Sequence, residues 1–317
     1  DNNSLVIKLK QELLDIKNKE SNLQTNLERE IEERKRLHNQ IEDMKGVMRV
    51  FCRIRPMSSS EIAKNCLDVI EYANDRLSVK LHLGGNDKAK ENQNEIKSYS
   101  FDSVFSPMDD QNEIYRDVNQ LVQSAIDGYN VCIFAYGQTG SGKTYTMNGI
   151  THSPGIQPRS ASEIFNIVSR DSSSKDFTIS SYMIEMSLEN LYDLYKNNKK
   201  GAIKGKRDKY NNVFVTKDAN GQVIVNGVKH CTIKTSSDLN ALLESGLRNR
   251  TSSRSHIIST IIIEATDRKT KLITTGKLTL VDLAGIGASS KSSTNGNDIA
   301  EAKAISSSLS ALSGVIR

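Results

Sequence analysis

The stretch from Gly137 to Thr144, with the sequence GQTGSGKT, constrains the fold of this chain more than any other feature. It fits the pattern G-x-x-x-x-G-K-[ST], in which a glycine-rich loop joins a strand to a helix and curls its backbone N–H groups around phosphates. The apolar run 131–136 before it predicts a buried strand, and residues 144–147 after it can open a helix. The N-terminus of that helix adds a favourable dipole for an anion.

This loop predicts specific contacts to a phosphate chain. Lys143 is expected to reach the β- and γ-phosphates, and Thr144 is expected to bind Mg²⁺. The remaining loop residues are expected to contact the nucleotide through the backbone, with Tyr145 beside them at the start of the helix. The full predicted set is Gln138, Thr139, Gly140, Ser141, Gly142, Lys143, Thr144 and Tyr145.

Length and composition predict one large domain with an extended part. The chain has 317 residues, 37% of them apolar, and a net charge of +5, which is compatible with an acidic partner surface but not diagnostic of one. The four cysteines are scattered without a C-x-x-C spacing, and Cys52 and Cys132 are predicted to be reduced core residues. No signal peptide or membrane-spanning run is recognised, so an intracellular protein is expected.

Residues 4–48 predict a long helix with a coiled-coil seam. Apolar residues recur every seven positions, at a in Val6, Leu13, Leu27, Ile41 and Met48, and at d in Leu9, Ile16, Leu23, Leu37 and Met44. Charged residues interrupt the seam at Glu20, Glu30 and Arg34. A dimer-forming stalk is favoured over a lone helix packed on its own domain. Homodimer and heterodimer stay open, although a pair of Arg34 side chains would disfavour a homodimer.

Past the arm, Arg53-x-Arg55-Pro56 ends a strand-like run, and Ser100–Phe105 has the sequence SFDSVF. On these residues the chain resembles the motor domain of kinesins, which has a similar first-strand motif and a similar F-D-x-V-F strand. The resemblance implies that Arg53, Arg55 and Pro56 border the adenine and that Tyr115 stacks on the base. Glu189–Leu194 also matches a family stretch. Residues 84–98 are predicted to form a surface loop.

The stretch Asn249–His256 resembles the family's switch I motif, N-x-x-S-S-R-S-H. The resemblance implies that Ser253 binds Mg²⁺, that Ser252 lies on the side of the γ-phosphate and attacking water, and that Arg254 senses closure through an ion pair. Either the loop that normally precedes the motif is deleted here, or its residues are missing from this sequence. Two interpretations therefore stay open for Asn249, as part of the motif or as the end of the preceding helix.

Leu280–Gly285 resembles the family's switch II motif, delivered by a β-rich run 272–281. Asp282 is expected to hold Mg²⁺ through water, and the Gly285 N–H is expected to sense the γ-phosphate. Where the family continues with Ser-Glu, this chain has Ile286 and Gly287. The missing Glu normally pairs with the switch I Arg, and loss of such a group lowers turnover by about 10²-fold or more.

The start of a microtubule-facing relay helix is recognised at 301–312, with Ser306 and Ser307 where the family has Asn-Lys. The family's remaining strand and two helices are not in the sequence, and we expect them to follow. The basic run 196–209 is predicted as a solvated loop or a microtubule contact.

Together these patterns predict an α/β P-loop NTPase with a mainly parallel twisted sheet, helices on both faces and an N-terminal coiled-coil helix. The expected domains are a stalk over 1–48 and a motor domain over 49–317. The implied function is ATP-driven movement on microtubules, minus-end directed because the stalk precedes the motor.

The alternative is an ATP-binding kinesin-like subunit with weak or no hydrolysis, acting as a microtubule-binding partner or crosslinker in a coiled-coil dimer. ATP or ADP with Mg²⁺ are the expected cofactors. Microtubules and a coiled-coil partner are the expected partners, without nucleic acid or membrane. The expected location is the cytoplasm, on the microtubule cytoskeleton, with the spindle as one candidate.

Overall fold

The computed structural model describes residues 2–46, 48–83, 95–188, 190–196, 213–219, 221, 223–252, 254–285 and 296–316. Its helices are α1 Asn2–Lys45, α2 Ser59–Ala63, α3 Gln111–Ile126, α4 Lys143–Met147, α5 Ile156–Asp171, α6 Ser236–Arg248 and α7 Gly296–Ile316. Its strands are β1 Phe51–Arg53, β2 Ile70–Tyr72, β3 Ser78–Leu83, β4 Glu95–Ser100, β5 Ser103–Phe105, β6 Asn130–Ala135, β7 Gly149–Ile150, β8 Ser153–Pro154, β9 Lys175–Ser187, β10 Asn190–Asp193, β11 Phe214–Lys217, β12 Val223–Asn226, β13 Cys231–Ile233, β14 His256–Asp267 and β15 Ile273–Asp282.

The first of two compact units comprises Asp1–Cys52 and Val69–Val104. It contains α1 and an antiparallel sheet in the order β2-β3-β4. Residues 95–98, predicted to lie in a loop, belong to β4, whose backbone pairs with β3. The loop prediction was wrong there because strand pairing outweighs the polar character of an exposed strand. Residues 84–94 lie outside the described part.

Helix α1 confirms the predicted long helix. Its described side chains are all exposed, including those of the apolar seam, for example Leu13 at 56% and Leu23 at 69%. The alternative of a helix packed on its own domain is therefore not supported. Dimerisation through the seam and the domain boundary at residue 48 stay predictions.

The second unit comprises Arg53–Asp68 and Phe105–Arg317 and is built on a sheet in the order β10-β9-β14-β15-β6, with β13 also paired to β9. The P-loop α/β fold is confirmed, but the sheet is mixed. Among its described pairings only β15 with β6 is parallel, whereas β9, β14 and β15 run antiparallel. The expectation of mainly parallel strands was wrong because the five-residue turn 268–272 joins β14 to β15, and so short a connection permits only antiparallel pairing.

Helices cover both faces of this sheet, as predicted. Gln157 of α5 donates a hydrogen bond of 3.3 Å to Ser259, which places α5 on the odd-numbered face of β14. Helix α7 packs on the other face, where Ile305 and Leu309 form a cluster with Val281, Leu283 and Ala284. Ile258, an even-numbered residue of β14, packs against the same cluster.

Strand β6 confirms the predicted strand before the P-loop but not its burial. Its residues are alternately exposed and half-buried, because β6 ends the described strand order and only β15 pairs with it. Cys132 is therefore exposed, which corrects its assignment to the core, and Cys52 is half-buried. Within the described ranges, no helix has the length and apolar content needed to cross a membrane.

Candidate functional site

The P-loop lies where the parallel strands β6 and β15 end. Ala135 and Asp282 are register partners, so the end of β15 lies beside the start of the loop. The backbone N–H of Leu283 continues the pairing to the Ala135 carbonyl at 3.4 Å. Because carboxyl ends of parallel strands meet at one sheet edge, the two motifs predicted separately from the sequence come together.

Glycines give the loop its shape. Gly137, Gly140 and Gly142 have φ angles of +152°, +82° and +93°. At such positive φ angles a residue with a Cβ would be strained, whereas glycine is not. Gly142 is the residue before α4, whose first residue is Lys143. Lys143 and Thr144 therefore follow the turn directly, in the order that a phosphate cradle requires.

Lys143 lies against its own loop. Its Nζ donates to the carbonyl oxygens of Gly137 and Gln138, each at 2.9 Å. Burial lowers the pKa of Lys143, and the Arg250 guanidinium lowers it further, while Asp282 opposes both. The ammonium thus has carbonyl partners that phosphate oxygens could replace.

Thr144 and Asp282 meet as a metal site would require. The Thr144 hydroxyl donates to Asp282 Oδ2 at 2.7 Å. Asp282 is 1% exposed, and its Oδ1 is buried without a hydrogen-bond partner among the described residues. A hydroxyl beside a carboxylate with an unsatisfied oxygen is the hard donor set that Mg²⁺ takes. These residues fit the metal, whereas Ser253, the third predicted ligand, lies outside the described residues.

Gly285 closely approaches the P-loop. A Cβ built on Gly285 would lie 2.8 Å from both the backbone N and the Cα of Thr139, inside van der Waals contact. Only glycine therefore fits without moving the loop backbone. This contact places the Gly285 backbone beside the loop, consistent with its predicted role near the γ-phosphate.

The loop before β14 is organised partly as predicted. Asn249 directly follows α6 as its C-terminal cap residue, and its side-chain amide donates to the Leu194 carbonyl at 2.8 Å. Of the two interpretations of Asn249, the structure thus supports the helix end. The Ser252 hydroxyl accepts a hydrogen bond from the backbone N–H of Arg254 at 3.0 Å, so it caps its own loop.

Glu185 of β9 is a site residue that the sequence reasoning missed. It is fully buried and accepts hydrogen bonds from the Thr251 hydroxyl at 2.9 Å and from the Ser255 hydroxyl at 2.6 Å. The backbone N–H groups of Thr251 and Ser252 also donate to it, each at 3.2 Å. One carboxylate therefore holds most of this loop. An acidic residue between two apolar residues of a strand, Ile184 and Met186, was the available signal.

His256 connects the end of β15 to α7. The Ala284 backbone N–H donates to its Nδ1 at 3.0 Å, so the neutral ring carries its proton on Nε2. That Nε2 lies 2.9 Å from the Ser308 hydroxyl, which itself donates to the Ile305 carbonyl at 2.9 Å. A continuous chain of hydrogen bonds thus joins the residue before Gly285 to the predicted relay helix.

On the predicted adenine side, the structure pairs Arg53 with Tyr145. The Arg53 guanidinium carbon lies 5.1 Å from the ring centre of Tyr145, and its Nη1 donates to Thr146 at 2.8 Å and to Gln111 at 3.2 Å. Tyr145 is 41% exposed beside the P-loop. This pair offers an accessible aromatic and cationic surface next to the phosphate cradle.

Tyr115 is placed differently from Tyr145. Its hydroxyl is buried on α3 beside Ser160 of α5, and burial raises the pKa of Tyr115 to about 12. Base stacking by Tyr115 stays a prediction. Arg55 forms a bidentate pair with Glu61, at 2.7 and 2.5 Å, and the neighbouring Pro56 is exposed.

Several predicted features lie outside the described residues. These are Gly287, Glu189 and the basic run beyond Lys196. Ser306 and Ser307 are described, and both are exposed on α7. Helix α7 itself confirms the predicted helix over 301–312.

Comparisons with known proteins agree with this architecture. The protein-family profile described as "Kinesin motor domain" matches residues 53–317. The chain is 40% identical to "Kinesin-like protein KIN-14I" of Oryza sativa subsp. japonica over 89% of its own length and 22% of that protein's length. It is 37% identical to "Protein claret segregational" of Drosophila melanogaster, over 94% of its length and 41% of that protein. It therefore spans less than half of these relatives.

Solved structures show the same similarity. The structure titled "C-terminal motor and motor homology domain of Kar3Vik1 fused to a synthetic heterodimeric coiled coil" has a TM-score of 0.80 and 30% identity, covering 97% of this chain and 79% of that one. The "Motor Domain Structure of the Kar3-like kinesin from Ashbya gossypii" has a TM-score of 0.66 and 31% identity, covering 83% of this chain and 77% of that one.

Proposed function

Since the chain belongs to the kinesin motor family, we propose that it is a microtubule-based motor that couples ATP hydrolysis to movement. The observation that carries the proposal is the contact between Thr144 and Asp282 at the end of the P-loop, beside Lys143. It supports a site for a nucleotide triphosphate with Mg²⁺, in which the metal neutralises developing charge on the transferred phosphoryl group.

Each residue around this contact has a role in the proposal. Lys143 exchanges its loop carbonyls for phosphate oxygens, and Thr144 with Asp282 holds the metal. The backbone N–H of Gly285 and the hydroxyl of Ser252 are proposed to meet the γ-phosphate. Arg53 and Tyr145 bind the base.

Phosphate loss is proposed to reach the microtubule side through α7. A shift of the Gly285 segment moves Ala284, whose N–H is bonded to His256. Through Ser308 the imidazole transmits this displacement to the C-terminal half of α7. Packed elements respond to such small displacements by switching between discrete arrangements.

The proposed partners are microtubules and a second coiled-coil chain that covers the α1 seam. Minus-end direction is proposed because the helix precedes the motor. Whether the second chain is another copy or a different subunit is left to experiment. The proposed location is the cytoplasmic microtubule array.

Phosphate release measured with increasing microtubule concentration tests the proposal. We expect microtubules to raise turnover at least tenfold, and Lys143→Ala to abolish it. Lys234→Ala, at an exposed lysine, is the matched control. Turnover unaffected by microtubules would support the weakly hydrolysing subunit instead, and Gly287→Glu would then be expected to raise it.

Two further assays separate the remaining options. Co-sedimentation with microtubules over a salt titration distinguishes a track-binding protein from a nucleotide-dependent enzyme with another partner. Gliding of polarity-marked microtubules gives the direction of movement.

A further inference from the structure

Arg250 follows α6, and its guanidinium is held by the loop to which it belongs. Its Nε donates to the carbonyl oxygen of Ser252 at 2.7 Å, and its Nη2 donates to the carbonyl oxygen of Ser255 at 2.7 Å. The side chain is 19% exposed. Because a planar group bonded to two backbone carbonyls has little freedom, the guanidinium cannot move far unless the loop opens.

The third nitrogen of Arg250 reaches a different segment of the chain. Its Nη1 lies 3.6 Å from Asp282 Oδ2, the oxygen that also accepts the Thr144 hydrogen bond. The positive charge of Arg250 also acts on its surroundings. Burial is the main reason for the lowered pKa of Lys143 and of His256, and Arg250 lowers both pKa values further. Arg250 is therefore a cation at the phosphate end of the site.

Arg254, which the resemblance assigns as the sensor, faces other groups. Together with His256 and with Ser307 and Ser308 of α7 it lines a cavity of about 250 Å³. Its position on the α7 side contrasts with that of Arg250 on the Asp282 side. In addition, the sequence has Gly287 where an acidic partner for Arg254 is expected.

We infer that Arg250 is a positioning residue that links the loop 249–255 to Asp282, so that in this chain the two phosphate-sensing segments are joined through this ion pair. The inference rests on the proposed nucleotide site for its meaning, but the link itself consists of two side chains of this chain. Loosening either end of the link therefore loosens the loop.

Hydrogen exchange of the nucleotide-free chain tests the link directly. With Arg250→Ala, amides of residues 251–255 are expected to exchange about tenfold faster, because charge-assisted bonds that close the loop are lost. The decisive variant is Asp282→Asn, which leaves every bond within the loop in place. It is expected to accelerate exchange in the same residues, although Asp282 lies on another strand.

Two variants control the experiment. Arg248→Ala removes an exposed arginine two residues away, one that pairs with Glu244 at 3.6 Å, and is expected to change nothing in the loop. Arg250→Lys keeps the charge, but one ammonium cannot reproduce the planar set of hydrogen bonds. The lysine variant is therefore expected to retain less than half of the protection against exchange that Arg250→Ala loses.

The outcomes are distinct. Unchanged exchange in Asp282→Asn, with faster exchange in Arg250→Ala, would overturn the link and leave Arg250 a structural residue of its own loop. If Arg250→Ala does not fold, Asp282→Asn and Arg250→Lys decide the matter. ATPase activity and the affinity for a fluorescent ADP analogue with Mg²⁺ are measured alongside. A loop that loosens as expected in a chain without ATPase activity would then reject the proposed function alone.

Discussion

The buried carboxylate of Glu185 accepts a 2.6 Å hydrogen bond from the hydroxyl of Ser255, and this contact ties the loop before β14 to the neighbouring strand β9. The two residues are 70 positions apart in the chain. Since the same carboxylate also holds Thr251 and Ser252, the loop depends on a single residue for much of its order.

We expect Glu185→Gln to destabilise the fold by about 1–3 kcal/mol. The side-chain NH₂ of glutamine would face the N–H and hydroxyl groups of the loop, which are hydrogen-bond donors in the wild type. Urea denaturation measures the change. Glu264→Gln, at an exposed glutamate of β14, is expected to stay within about 0.5 kcal/mol of the wild type. Equal stability of the two variants would contradict this account of Glu185.

Gly285→Ala is expected to weaken nucleotide binding by at least about tenfold, because the new methyl group would overlap the Thr139 backbone, which cannot move without deforming the P-loop. Titration with a fluorescent nucleotide measures the effect. Gly314→Ala on α7 is the control, since a Cβ there meets nothing within 4 Å. Wild-type affinity of Gly285→Ala would show that the two segments separate when nucleotide binds.

His256 is expected to make stability depend on pH below 6.5, the ordinary pKa of a histidine. Burial lowers the pKa of His256 in the folded chain, and Arg250 lowers it further, against the opposing effect of Asp282. On acidification the unfolded chain therefore takes up the proton first, so stability is full above pH 6.5 and falls as pH drops towards the folded pKa. The slope cannot exceed about 1.4 kcal/mol per pH unit.

Chemical denaturation of the wild type and His256→Gln between pH 7.5 and 5.5 measures this slope. The variant should show a shallower pH dependence. Ser308→Ala removes the hydrogen bond but keeps the imidazole, so it should lower stability at every pH and retain the slope. A steeper slope in His256→Gln would show that other groups control acid sensitivity.

The α1 seam is expected to bring two chains together. Leu13→Lys should weaken association by at least about tenfold, because it would bury two like charges, whereas Glu20→Leu should strengthen it by completing the seam. Sedimentation equilibrium measures both, and Gln11→Glu on the outward face is the control. If the chain stays monomeric even with Glu20→Leu, self-association is excluded and a different subunit is the partner.

Local patterns predicted the parts of the site that are contiguous in sequence. The P-loop, the strand that ends at Asp282 and the long helix α1 each depend on spacing within a few residues, and the structure contains all three. Pairing between distant strands has no such signal. The expectation of parallel strands was therefore wrong for β9, β14 and β15. The predicted burial of Cys132 was wrong because β6 has only one described neighbouring strand.

Long-range polar contacts were the other part that the sequence did not reveal. Glu185 and Arg250 acquire their roles from partners 70 and 32 positions away. Tyr145, rather than Tyr115, lies exposed next to Arg53, because helix packing buries the Tyr115 hydroxyl. These contacts depend on which helix and strand faces pack together after folding. Residue type and spacing along the chain do not reveal that packing.

The β14–β15 hairpin has one more consequence. Its open end carries both His256 and Asp282, while its closed end is the turn 268–272, roughly 30 Å away along ten paired residues. His256 and Asp282 thus lie at the same end of one stiff ribbon, and neither can tilt without moving the other. A spectroscopic label in the turn would report the motion of the whole ribbon from a distance at which it touches no nucleotide.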